Sequence, residues 1–211
     1  MGFFDIFRRP PAVQDAPALA EFIDRNAAFL IQKGMYEYAR ARAGHYAKVL
    51  MNEPEFLAAM EEARWRGYPL GLAMVAEMVE KVLDPLFLDP LFTDDRHTGI
   101  AALEDLVLSV FDRYPVPQPF GSTAWEDERR ELARWLELIS LHPPKMVKDI
   151  PMPFAKLYFD MMPIHEKLRA PDFLAISNYL RVSLINIHDD LIKRIDTPAV
   201  VRSLLAGHPK Q

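Results

Sequence analysis

Arginines and histidines stand where apolar side chains belong at several places in this 211-residue sequence. On a helix, successive residues turn by about 100°. In that frame Arg42 and His45 fall inside the apolar stripe of the segment after Pro17, beside Tyr38 and Tyr46, whereas Arg40 falls opposite it. Arg64 lies in line with Met60, Gly67 and Gly71. His165 lies among Phe154, Leu157, Met161 and Leu168. Ser177, Arg181 and His188 form a polar column within a wide apolar arc. A buried charge without a partner is strongly unfavourable, so something must answer these cations. One answer is intramolecular. Glu37, Glu77, Asp160 and Asp189 lie near stripe edges, helix carbonyl ends accept from arginines, and arginine stems snorkel to water. The other answer is a pocket for an anionic ligand, because guanidinium forks bind carboxylate or phosphate. Neighbouring aromatic rings would suit an amphipathic molecule such as a fatty acid or a lipid phosphate. The ligand-binding residues are then Tyr38, Arg42, His45, Tyr46, Arg64, His165, Ser177, Arg181 and His188. On this reading Ser177, Arg181 and His188 face Arg42 and His45 across one interior space. No residue is assigned to catalysis or to a metal, and no cofactor is implied.

A catalytic reading is the alternative. "NIHDDLIK" contains a His-Asp pair and locally resembles the motif of HD-type metal phosphohydrolases, which are also all-helical. That resemblance implies an earlier histidine, for which His165 would serve, and a further aspartate well downstream. Only Asp190 and Asp196 follow, both close by. A helical di-iron centre needs Glu-x-x-His on two helices, and no such sequence occurs. A serine nucleophile would draw on Ser177 or Ser183 with a histidine from another helix, a pairing that spacing alone does not indicate.

The elements that must hold these groups are helices nearly throughout. Apolar residues from Ile23 to Val49 recur at helical spacing and predict a first helix over residues 17–52. A second starts near Pro54, with a kink or break at Pro69. Residues 70–83 are apolar on most sides and predict a central buried helix. Ile100 to Tyr114 form another. Thr123 and Glu126 predict a capping box for a helix reaching Leu141. A helix bent at Pro163 covers residues 154–168, and Pro171 opens one that reaches Ile195. Thr197 caps a short last helix that ends at Gly207. The fold class is all-α, a single-domain bundle of roughly seven or eight helices with proline-marked corners. Gly67 and Gly71 would let two helices approach closely.

Composition bounds the function. The net charge is −5, which argues against binding nucleic acid. There is no cysteine, so disulfides and thiolate metal sites are excluded and a reducing, cytoplasmic setting fits. No run is long and uncharged enough for a membrane span. The chain opens "MGFFDIFRRPP". Residues 1–16 read as an apolar segment and a proline-containing hinge, and residues 17–211 as the helical domain. Phe3, Phe4, Ile6 and Phe7 would cover one side of a short helix, with Arg8 and Arg9 beside it. That pattern suits reversible contact with a membrane surface, a partner protein, a second copy of the chain, or the chain's own domain. It is not a signal peptide, because its arginines follow the apolar run.

"YEYARARAGHYAKVL", "YPLGLAMVAE", "MPIHEKLR" and "NYLRVSLINIHDDL" resemble stretches of a small family of uncharacterised all-helical bacterial proteins. Some members are automatically labelled esterases. The resemblance implies no mechanism and carries over no catalytic residue. The label finds no support here, because the G-x-S-x-G elbow of the common α/β esterases is missing. The reading that follows is a cytoplasmic, soluble or membrane-peripheral helical binding or adaptor protein with a site for an anionic amphipathic molecule. A hydrolase that uses the interior histidines is the alternative.

Overall fold

A computed structural model describes residues 11–93 and 95–207. The N-terminal residues Phe3, Phe4, Ile6, Phe7, Arg8 and Arg9 lie outside the described residues. The fold is an all-α, single-domain bundle. Its elements are α1 (Ala16–Ala43), α2 (Ala47–Leu50), α3 (Pro54–Phe87), α4 (Arg96–Phe111), α5 (Ser122–Ser140), α6 (Ala155–Asp160), α7 (Glu166–Arg169), α8 (Phe173–Ile192) and α9 (Thr197–Gly207). Short 3₁₀ turns, Gly44–Tyr46 and Ala170–Asp172, precede α2 and α8. No helix among the described residues is long and apolar enough to cross a membrane.

The centre is α3, which packs against α1, α4, α5, α8 and α9. From Gly67 to Glu80 every residue is buried, so apolar character on all sides is what the position requires. The helix runs unbroken through Pro69, so the break expected there as one alternative does not occur. A proline inside a helix costs about 3 kcal/mol. Here tertiary contacts on both flanks offset it: Tyr68 is buried against Phe111, and Gly67 and Gly71 lie against α1.

Helix ends follow local chemistry. The Asp15 carboxylate accepts from the Ala18 amide at 2.8 Å, and Pro17 sits in the first turn of α1. Asp95 accepts from His97 at the start of α4, and Asp196 from Ala199 at the start of α9. Asp196 thus takes the capping role expected of Thr197. The capping box expected at Thr123 does not form, because α5 starts two residues earlier, after Gly121. The first helix is shorter than its stripe implies. Gly44 has φ +52°, a conformation that favours glycine, and it ends α1 well before Asn52. Pro163 does not bend a helix. It lies in an irregular segment between α6 and α7, since its missing amide and ring oppose helical continuation.

Part of the segment ahead of residue 17 packs on the helical domain. Val13 is buried, its amide donates to the Arg194 carbonyl at 3.0 Å, and its own carbonyl accepts from Asp196 at 2.9 Å. The end of the hinge is thus stitched to the turn between α8 and α9.

Candidate functional site

Helices α1 and α3 run antiparallel and touch most closely through glycine. A Cβ on Gly71 would lie 2.7 Å from the Ala27 carbonyl oxygen, and one on Gly67 would lie 2.7 Å from Ile31 Cγ2. The glycine spacing read from the sequence is a close helix crossing. Towards the Gly44 turn the two helices carry large side chains instead, and there they hold a groove of about 520 Å³. Phe29, Met35 and Tyr36 of α1 form one wall. Leu57 and Met60 of α3, with Met51 from the preceding turn, form the other. Phe29, Tyr36 and Leu57 are each nearly half exposed. Lys33, Glu61 and Arg64 supply the charge, two cations against one carboxylate.

Arg64 is the sequence-predicted residue that lines this groove. Its guanidinium pairs with Glu61 one turn back and lies 4.8 Å from the Trp65 ring centroid. Its buried Nε has no hydrogen-bond acceptor among the described residues. Glu61 also accepts from the Trp65 indole at 2.8 Å, so that carboxylate is shared. Lys33 lies 4.9 Å from the Phe29 ring centroid and 3.9 Å from Glu37, both at the surface. The groove therefore joins an apolar wall to two cations.

A second cavity of about 220 Å³ shares Gln32 and Arg64 with the first. Trp65, Tyr68 and Tyr114 line it. Both tyrosine hydroxyls donate to Asp24, at 2.7 Å from Tyr68 and 2.8 Å from Tyr114. Burial pushes both phenols up, and the hydrogen bonds to Asp24 add to the rise. They stay protonated donors and fix the aromatic end of the site.

The remaining predicted residues are not gathered around one space. Arg42 is exposed. It ties the end of α1 to the start of α8, through Asp172 at 3.3 Å and the Leu168 carbonyl. Tyr38 donates to the same Asp172 at 2.8 Å, and its phenol is pushed up to about 12, by burial first and then by that hydrogen bond. His45 and Tyr46 are exposed, because the helix that would have turned them inward ends at Gly44. His165 is exposed and caps α7, its Nδ1 accepting from the Lys167 amide at 3.3 Å. Ser177 is buried, with its hydroxyl 4.0 Å from the Met152 sulfur. Arg181 donates to the Lys148 carbonyl at 3.0 Å. His188 is partly buried beside Asp189, at 3.4 Å. The cations have separate local partners, so the shared interior space expected between Arg42 and Arg181 is not formed.

Buried charge in this fold is carried instead by carboxylates, the reverse of the sequence expectation. Glu77 and Glu80 on α3 are 1% and 4% exposed. Lys145 donates to Glu77 at 2.8 Å. Arg96 bridges Glu80 at 2.9 Å and Asp84 at 2.6 Å. Burial pushes the Glu80 carboxyl up to about 7 even though Arg96 opposes the rise. Nothing in the helical pattern of residues 70–83 separates these glutamates from surface ones. The signal was only that a helix apolar on most sides has no outer face to put them on. Among the described residues no group of three or more His, Cys, Asp or Glu side chains is placed to hold a metal ion. The ligand set that the His-Asp motif would require is not assembled there.

No family model matches the chain, and no curated protein or solved structure proves similar to it.

Proposed function

We propose that the chain binds an amphipathic small molecule with an anionic head group, a fatty acid or a lipid phosphate, in the groove between α1 and α3. The observation that carries this reading is the pairing of two cations, Arg64 and Lys33, with the apolar wall of a groove of about 520 Å³. That volume lies within the usual range of small-molecule sites, about 300–1,000 Å³. The acyl part would lie along Phe29, Met35, Leu57 and Met60, and the anion would meet Arg64 and Lys33. Glu61 neutralises part of the cationic charge and would set a preference for one anionic charge over several.

Isothermal titration with decanoate tests the reading. Saturable one-to-one binding supports it, and Arg64→Gln should then bind about tenfold more weakly, since one charged hydrogen bond is worth roughly 1.5 kcal/mol or more. Among the described residues no histidine lines the groove. The affinity for decanoate should therefore be flat between pH 6 and pH 8, unlike that of a histidine-lined site. Absence of binding by decanoate and by a monoalkyl phosphate of the same length would refute the reading.

A further inference from the structure

Helix α8 is apolar on too many sides for the partners it has. Leu180, Leu184, Ile187 and Leu191 are buried in the core. Its other side carries Leu174 (70% exposed), Val182 (58%), Ile185 (38%) and Ile192 (52%). Isolated exposed leucines are ordinary, but these four recur along the whole of one 20-residue helix.

Along that face Leu174, Asn178, Arg181, Ile185, His188 and Ile192 follow in alternating steps of four and three residues. This is the seam spacing of helices that pair side by side. The series reads the same from either end, so an antiparallel copy matches it. Leu174 then lies at the level of the partner's Ile192, and Asn178 at that of the partner's His188. Val182 and Ile185 flank the two-fold axis. Helical side chains lean towards their own N-terminus. Arg181 and the partner's Asp189 therefore lean towards one another across the seam. Within its own chain Arg181 uses Nε on the Lys148 carbonyl, which leaves its terminal nitrogens for a carboxylate. Among the described residues the Asp189 carboxylate pairs with the neighbouring His188 ring, at 3.4 Å.

We propose that the outer face of α8 is a self-complementary interface on which a second copy of this chain docks antiparallel, with Leu174, Ile185 and Ile192 meeting along a mixed seam and paired Arg181–Asp189 contacts across it. The exposed area of the four apolar side chains is on the order of 400 Å², so with its polar flanks the face approaches the roughly 600–800 Å² per partner of a specific interface.

Sedimentation velocity on the full chain at micromolar concentration tests the proposal. A species of twice the 24.3 kDa chain mass is expected. Ile185→Glu should return it to a monomer with an unchanged circular-dichroism spectrum. Arg181→Glu and Asp189→Arg should each weaken the dimer by tenfold or more, and the two together should restore it, which misfolding cannot imitate. A monomeric wild type overturns the proposal. So does a dimer that Ile185→Glu leaves intact, or a monomer that dimerises only after residues 1–10 are deleted. The last result would make the chain's own N-terminal segment the occupant.

Discussion

Arg42 and Arg64 both read as cations turned inward, yet their surroundings give them different work. Arg42 stands at the last turn of α1 and joins two elements through Asp172 and a backbone carbonyl. Its side chain is over a third exposed, so the pair is worth about 0–1 kcal/mol. Arg42→Ala should lower stability by about 1 kcal/mol, and Arg40→Ala by less than about 0.5 kcal/mol, in urea unfolding. Equal losses would contradict the placement of Arg42 on Asp172. Neither change should affect decanoate binding, whereas Arg64→Gln should. Glu80 supplies a pH prediction. Its carboxyl is raised to about 7 from an ordinary value near 4.5. Between those values the folded chain holds a proton that the unfolded chain has released. The stability linked to Glu80 is therefore full at acid pH and is lost as pH rises towards about 7. Glu80→Gln cannot ionise and keeps an acceptor for Arg96. Its thermal midpoint should gain on the wild type as pH is raised from 5 to 8, and parallel curves would contradict the assignment.

At the scale of elements, the crossing of α1 on α3 is the contact that sets the groove. Gly71→Ala would drive a Cβ against the Ala27 carbonyl oxygen, which belongs to the backbone and cannot swing away. Helix propensity alone would favour alanine by about 1 kcal/mol. The clash should win, with a net loss of about 1–3 kcal/mol in thermal or urea unfolding. A stabilised variant would mean that the helices sit farther apart. The helices themselves were largely legible, because a 3.6-residue apolar period is a local property. Their interruptions were not. The helix continues through Pro69 where α1 and α4 pack against it, and those contacts are distant in sequence. Gly44 ends α1 through its positive φ, which a stripe of apolar residues does not reveal. The groove was hidden for a related reason. Met60 looks like core at helical spacing and Phe29 falls off the apolar stripe, and only the packed helices show that they and Leu57 line one groove. Arg64 was legible as a cation on the apolar side. Its unused Nε was not.

The whole molecule is one helical core with two unequal kinds of apolar surface beyond it. The groove is concave, mixed with cations and shared by two helices. The outer face of α8 is convex and regular. They lie on different elements, so a change such as Ile185→Glu should leave decanoate affinity unchanged while altering self-association. The central claim is that the α1–α3 groove is where an amphipathic anion binds. Methionine methyl groups report on it without disturbing it. The chain has ten methionines, of which Met35, Met51 and Met60 line the groove, while Met74 and Met78 lie in the core of α3 and Met152 sits on the surface beside α8. A methyl-labelled sample titrated with decanoate should show saturable shifts of Met35, Met51 and Met60, with Met74, Met78 and Met152 unmoved. Shifts confined to other methionines, or none at saturating ligand, would contradict the account.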